Sequence, residues 1–422
     1  MNEALQAALE YNHNVRVQRI EQEVVDKQVT RGQAGQLPVV SLNGDFSGSR
    51  SDQELTPGTL FSSMTGSGAS PGTFRFDGVN ATTLSAGLGA QWVLYDAGKG
   101  RLRYETLERG SRVAGLQLQM EMERTLLSVV RHYVQAASLQ KRLSIQSLAL
   151  EQSRDRYRVM EARRSYGQTN EQQYLQALAD LKSDSTDYRE LELQFRSAYR
   201  ELHTEIGWED REFRPLEESI QTDVLPPYEE LLASLEEGNS TLSVREERIE
   251  QARIGREMSR SGFLPTVTAS ARYGYQHQYA SDGLFESQEQ LGLTGGLSLQ
   301  IPLFSGGRNR TEVQRAKATL RQERIRYEGS RQEIRMQFEN TWNRLEHLRR
   351  QYRSEQENLQ VYERNYERAQ DAFSRGLLTG VELRSAQLSL QQARLRLSEI
   401  SFGIVQTTAT IHYLTGRFSP NF

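Results

Sequence analysis

Two hydrophobic patterns divide the chain, and the first is an alternation typical of strands. Between residues 82 and 95 one set of alternate positions is apolar throughout. Its members are Leu84, Ala86, Leu88, Ala90, Trp92 and Leu94. A similar alternation returns at 289–304, and a less regular one covers 37–47 and 264–275. Because successive side chains of a strand point to opposite faces, these segments predict four strands with one apolar and one polar face.

The second pattern is an apolar spacing of three and four residues, which predicts long helices. The predicted helices are 1–36, 98–166, 169–207, 228–262, 307–375 and 379–416. One seam contains Leu383, Ala386, Leu390, Ala393 and Leu397, and the corresponding positions of the first half include Ala177, Asp184 and Phe195. A repeat with only two apolar positions per heptad predicts coiled-coil seams, and a helix the length of 98–166 would be about 100 Å long.

The chain also contains a tandem repeat. Leu37-Pro38 recurs as Leu264-Pro265, and the segment Gly87–Lys99 matches Gly296–Arg308. The second spacing, 209 positions, also relates Gly167 to Gly376. Such a fixed offset predicts two halves with the same order of elements.

The predicted boundaries follow from this repeat. The first half is 1–207, the second is 228–422, and the proline-containing segment 208–227 is the linker between them. The two copies of Leu-Pro are 227 positions apart, whereas the copies of the later segments are 209 positions apart. The first half therefore contains 18 additional residues between these two points. This difference predicts an enlarged loop in the first half, at 47–83.

A four-stranded sheet with one apolar face needs a partner for that face. The apolar stripes on the predicted helices are narrow and already pack against each other in the coiled-coil seams, so they do not cover the sheet. The alternation therefore favours a transmembrane β-barrel with a polar interior. Trp92, Tyr95 and Phe304 lie at one end of the predicted strands and fit interfacial aromatic residues. Four strands are too few to close a barrel, so several protomers would have to contribute, giving 8, 12 or 16 strands.

Composition excludes several other classes of protein. The chain has 422 residues, 36% hydrophobic, with a formal net charge of −3 and no cysteine. These values give no indication of a nucleic-acid partner and exclude disulfides and thiolate sites. No apolar run is long enough for a transmembrane helix, and residues 1–10 lack a signal-peptide pattern.

Candidate enzyme chemistry is also missing from the sequence. The six histidines are scattered without the spacing of metal ligands, and the paired glycines lack the lysine of a phosphate-binding loop. We therefore expect no catalytic activity, metal or cofactor. A soluble periplasmic coiled-coil adaptor or scaffold is the alternative function, because it would explain the heptads but not the four amphipathic strands.

The repeated Leu-Pro before a strand, the segments 91–99 and 300–308, and the turns near Gly167 and Gly376 together resemble the TolC-like outer-membrane efflux and type I secretion channels. The resemblance covers nearly the whole chain. It implies a homotrimer with a 12-stranded barrel in the outer membrane of a Gram-negative bacterium. It also implies an α-helical tunnel through the periplasm and an equatorial segment near 208–227.

The resemblance further implies partners and cargo. The expected partners are a periplasmic adaptor, or membrane fusion, protein and an inner-membrane transporter of the ABC or proton-driven type. The cargo would be small molecules or a secreted protein, and the sequence does not distinguish them. Because the chain has no cysteine, we expect no lipid anchor of the kind found in lipoprotein relatives.

A constriction at the second hairpin turn is also implied by the resemblance. Relatives often have two acidic residues three positions apart, but here the positions are Glu382 and Ser385, so only one acidic ring is expected. Gln173 holds the place of Glu382 in the first half. From the residues themselves, Gly167 and Gly376 are expected to end the long helices, and Thr169 and Thr379 to start the next ones. An ordinary solvent-exposed helix residue is the alternative interpretation of Glu382.

Overall fold

The computed structural model describes residues 1–56, 73–208, 215–217, 225–281 and 286–418. Much of the predicted loop 47–83, most of the predicted linker 208–227 and the segment 282–285 lie outside the described residues. In the described part of the chain, no helix has both the length and the apolarity that crossing a membrane requires.

Four strands form one antiparallel sheet in the order β1-β2-β3-β4. They are β1 (Val39–Leu55), β2 (Phe74–Tyr95), β3 (Thr266–Ala280) and β4 (Ser287–Gln300). Since β2 pairs with β3, one sheet joins the two halves of the repeat. β1 and β4 lie at the edges, and within the described residues each has one side without a paired strand.

The strand boundaries differ from the predicted ones. β1 and β2 each extend eight residues into the predicted loop, to Leu55 and from Phe74. Here the carboxylate Oδ1 of Asp52 accepts a hydrogen bond of 2.6 Å from the Gly78 backbone N–H. The β1 residues of this extension are largely polar, so β1 continues the ladder without an apolar alternation. β4 ends at Gln300, before the predicted 304, because Pro302 has no N–H to donate.

The sheet has two chemically different faces. Leu42, Leu88, Tyr273 and Leu293 are paired directly across the four strands, so they share one face. The neighbouring row, Ser41, Gly89, Arg272 and Thr294, lies on the opposite face. The apolar side chains are exposed, and Leu293 is 73% accessible. The alternation seen in the sequence is therefore confirmed.

Eight α-helices occupy the described residues outside the sheet. They are α1 (Asn2–Tyr11), α2 (His13–Gln28), α3 (Lys99–Ser165), α4 (Glu171–Ile206), α5 (Tyr228–Gly238), α6 (Ser240–Arg260), α7 (Arg308–Ser374) and α8 (Gly380–Leu414). A short 3₁₀ turn, Ser261–Phe263, follows α6.

The predicted helices 1–36 and 228–262 are each broken by an asparagine, so their prediction as single helices was wrong. Asn12 Oδ1 accepts hydrogen bonds from the Asn14 and Val15 N–H groups, and its Nδ2 donates to the Glu205 carbonyl. Asn239 makes the equivalent contacts, with its Nδ2 donating to the Leu414 carbonyl. Each asparagine starts a new helix because its side chain satisfies N–H groups that lack a helical partner.

The chain divides into two compact units, and each takes segments from both halves of the repeat. The sheet unit comprises 27–110 and 251–320, and the helical unit comprises 1–26, 111–250 and 321–422. The repeat halves are therefore interleaved in space.

The helical unit has two main hydrophobic clusters. The first contains Leu5, Val129, Val130, Leu202 and Val405. The second contains Leu231, Phe338, Leu345, Ile411 and Leu414. Both clusters include residues of α8, so this helix packs against helices from both halves.

Candidate functional site

The polar face of the sheet surrounds a concave space in the sheet unit. A cavity of about 580 Å³ is lined by residues that include Ser41, Asn43, Gln91, Ser270, Arg272 and Thr294. Among β1 residues 39–49 and the residues paired with them on the other three strands, the charged residues on this face are Asp45 and Arg272. A polar concave face opposite an apolar surface is the arrangement of a water-filled barrel wall.

The three predicted interfacial aromatics lie at one end of the sheet. Trp92 is in the row of Ala269 and donates its indole N–H to the Gln36 carbonyl at 2.9 Å. Tyr95 is half-exposed and follows a register shift after Val93. Phe304 lies four residues beyond the end of β4 and is 89% exposed. Their role at a membrane interface stays a prediction.

The predicted turns between the long helices have matching backbones. Gly167 has φ +67° and Gly376 has φ +75°, values at which glycine has no steric penalty. Gln168 N–H bonds to the Arg163 carbonyl, and Leu377 N–H bonds to the Ala372 carbonyl. Both turns therefore end α3 and α7 with the same glycine-containing C-cap.

Glu382 belongs to a complete capping box at the start of α8. Its N–H donates to the Thr379 hydroxyl oxygen, while its carboxylate Oε2 accepts from the Thr379 N–H at 2.8 Å and hydroxyl at 2.7 Å. These two hydrogen bonds from Thr379 hold the pKa of Glu382 below its ordinary value. Ser385 is exposed one helical turn later.

The first half has a different cap at the equivalent position. Asn170, not the predicted Thr169, caps α4, and its side chain accepts from the Gln173 N–H at 2.8 Å. Thr169 instead donates its hydroxyl to the Gln173 side-chain oxygen. The constant offset of 209 would have indicated Asn170, since it corresponds to Thr379.

The two helical turns are joined by a small cluster. Met160, Ala177, Phe373 and Leu383 are buried together. The Arg163 guanidinium lies 5.0 Å from the centre of the Phe373 ring and donates to the Phe373 carbonyl. α3 and α4 of the first half therefore pack directly against α7 and α8 of the second half at this end of the helical unit.

A buried polar network next to this cluster was not predicted. Asp184 of α4 is 2% exposed and accepts two hydrogen bonds of 2.7 Å from the Arg384 guanidinium of α8. Asp184 also accepts from the Ser153 hydroxyl of α3. Three helices from both halves are thus linked by a bidentate ion pair, a geometry that is among the stronger polar contacts in proteins.

Arg156 completes the network. It is 5% exposed, donates to Gln387 at 2.6 Å and forms an ion pair of 3.2 Å with Asp180. Burial, and then repulsion from Arg384, lower the pKa of Arg156 from its ordinary value. Two arginines and two aspartates balance the charge. The one sequence signal for the network was Asp184 itself, a charged residue at an apolar position of the seam.

Comparison with known proteins gives the family of the chain. The family model described as outer membrane efflux protein matches residues 4–207 and 231–417. The Proteases secretion protein PrtF of Dickeya chrysanthemi is 25% identical over 194 residues, which are 43% of this chain. The matched chain spans 39% of the length of this curated relative.

Two solved structures have the same fold. The CmeC outer membrane channel of Campylobacter jejuni has a TM-score of 0.76 at 18% identity, covering 100% of this chain and 86% of that chain. The open state of the MtrE outer membrane channel of Neisseria gonorrhoeae has a TM-score of 0.76 at 18% identity, covering 98% and 88%. With the family match over both repeat halves, the chain belongs to the outer membrane efflux protein family.

Proposed function

We propose that three copies of this chain form a channel whose barrel has twelve strands, four from each protomer. The observation that carries this proposal is the open sheet. It has an exposed apolar face, a concave polar face and two edges without paired strands in the described residues. In a lipid bilayer such edges must be paired, and β1 and β4 run antiparallel to each other, as neighbouring strands of a barrel do.

The long helices of the three protomers would enclose a tunnel through the periplasm. α3 and α7 each have 67 residues. A helix of that length measures about 100 Å, more than a bilayer's thickness. The likeness in fold to CmeC and MtrE, both named outer membrane channels, supports this assignment. Such a tunnel would carry substrates from the periplasm to the cell exterior.

The channel would act as the outer component of an export assembly with a periplasmic adaptor and an inner-membrane transporter. Exposed apolar residues near the helical turns offer an adaptor surface, and they are Tyr166, Leu377 and Val381, each at least 65% exposed. Efflux is the first candidate because the family model matches both halves. Secretion of a protein is the second, supported by the similarity to the protease secretion protein PrtF.

Glu382 would set the charge at the periplasmic opening. In a trimer the three carboxylates and the neighbouring Ser385 would repeat around the axis, with Gln173 at the equivalent place of the first half. The hydrogen bonds from Thr379 lower the pKa of Glu382 and so favour its ionised form. We expect one ring of negative charge that attracts cations, and Glu382→Gln should weaken block by divalent cations in single-channel recordings.

Fractionation and conductance test the channel assignment. We expect the protein in the outer-membrane fraction, soluble only with detergent, and discrete conductance steps when it is added to a planar bilayer. A protein that is monomeric without detergent and gives no conductance would instead fit the soluble periplasmic adaptor. Export of a dye and of a secreted protease, measured in cells that lack their own channel, distinguishes the two cargo candidates.

A further inference from the structure

Arg272 lies on β3, on the polar face of the sheet. Among the residues paired in the rows of β1 residues 39–49, it is the one cation on this face. It pairs across the sheet with Gly89 and Thr294, and it lines the cavity of about 580 Å³. No carboxylate of the described residues lies within ion-pair distance of its guanidinium. An exposed arginine without a carboxylate partner is free to bind an anion in two-point geometry.

The Arg272 side chain lies beside glycines of the neighbouring row. The next row of the polar face contains Gly87, Gly274 and Gly292. A Cβ atom at Gly87 would lie 2.9 Å from the Gly274 Cα, so this position accepts no larger residue without a backbone shift. Arg272 Nε lies 3.5 Å from that Cβ position. The side chain therefore rests on the bare backbone of β2 and β3.

Polar side chains line the same cavity as Arg272. Ser270 and Gln91 are in the adjacent row, and Ser41 and Thr294 are in the row of Arg272 itself. Asp45, the other charge on this face, lies two rows away on β1, where it accepts from the Ser85 hydroxyl at 3.4 Å. A cavity lined by an arginine and by hydroxyl and amide groups is suited to carboxylate and phosphate groups.

We propose that Arg272 forms a binding site inside the barrel for small organic anions bearing carboxylate or phosphate groups. This inference rests on the proposed trimer, in which three Arg272 side chains face one lumen. Three such charges at about 10 Å would enrich a monovalent anion roughly fivefold at 0.01 M salt and leave it almost unchanged at 1 M.

Single-channel recording with citrate as the probe tests the site. In a wild-type channel we expect citrate to block a chloride current at low salt, with block relieved at 1 M salt. Arg272→Met keeps the apolar stem over the glycines and removes the charge, so the citrate concentration for half block should rise at least tenfold. Arg272→Lys should keep most of the block, and Asp45→Asn should strengthen it slightly.

Ser270→Asp provides a second test if Arg272→Met does not assemble. It leaves Arg272 in place and adds a carboxylate in the adjacent row, so citrate block should again weaken. Conducting Arg272→Met or Ser270→Asp channels with unchanged citrate block would overturn the anion site while leaving the channel assignment intact. A wild-type protein without conductance would instead contradict the proposed channel.

Discussion

In the sheet unit the large apolar side chains lie on the surface, and Leu293 is 73% exposed. In the helical unit a few charged side chains are buried, among them Glu123, Arg156 and Asp184, and Asp184 is 2% exposed. Each arrangement reverses the usual distribution for a soluble protein. The difference indicates two environments, because the sheet is suited to an apolar solvent on one face, whereas the helices use polar contacts to fix their packing.

The largest effect is expected from breaking the buried ion pair. Arg384→Met leaves Asp184 buried without its bidentate partner, and it should destabilise the protein by about 3–5 kcal/mol. Thermal unfolding of the detergent-solubilised protein measures this change. Arg396→Met is the matched control, because Arg396 is on the same helix and forms a more exposed ion pair of 3.5 Å with Glu355. The control should lose at most about 1 kcal/mol.

A charge on the apolar face of the sheet is the second test. Leu293→Arg would place a guanidinium in the middle of the apolar face, at a cost of about 2–4 kcal/mol in a bilayer. We expect loss of trimer from the outer-membrane fraction. Gln290→Arg, three residues earlier on the polar face, should assemble normally. Equal assembly of both variants would show that the exposed face does not contact lipid.

Replacing glycines in different backbone conformations should change the stability of the protein by smaller amounts. Gly376→Ala adds a methyl group with no neighbour within 4 Å, but its φ of +75° should make alanine less stable by about 1 kcal/mol. Gly329 lies in helix α7 and also has no neighbour within 4 Å. Gly329→Ala should therefore stabilise the protein by about 0.5–1 kcal/mol. Chemical denaturation compares the two variants.

The pH dependence of the α8 cap is the smallest expected effect. Glu382 has a lowered pKa in the folded protein, so its stabilising contribution is present above the ordinary value of 4.5 and is lost as pH falls through the folded value. In an NMR titration, Thr379→Ala should move the pKa of Glu382 back toward 4.5. An unchanged pKa in this variant would show that Thr379 does not lower it.

The sheet could be predicted from the sequence because one apolar and one polar face leave a two-residue period. Leu84, Leu88 and their partners follow that period wherever one face is apolar. The extension of β1 to Leu55 was missed because its pairing depends on backbone hydrogen bonds between largely polar residues. The helix breaks at Asn12 and Asn239 were missed because capping by one side chain leaves the apolar spacing nearly unchanged.

The buried network could not be predicted, because its members are far apart in the sequence. Ser153, Asp184 and Arg384 lie on three helices, and only their packing brings them together. Asp184 was the single local sign, since it occupies an apolar position of the seam. At the helical turns the glycines follow from local rules, whereas Asn170 replaced Thr169 as a cap because both residue types can perform that role.

Cross-linking between the edge strands tests the central claim most directly. The chain has no cysteine, so variants that carry one cysteine in β1 at 41–45 and one in β4 at 290–296 can be oxidised without interference from other thiols. Ser85→Cys with Gln276→Cys, which are paired within one chain, is the control and should give no ladder. We predict linked products that end at three chains for the paired register. A ladder that ends at two or four chains, or no product at any register, would contradict the trimeric barrel.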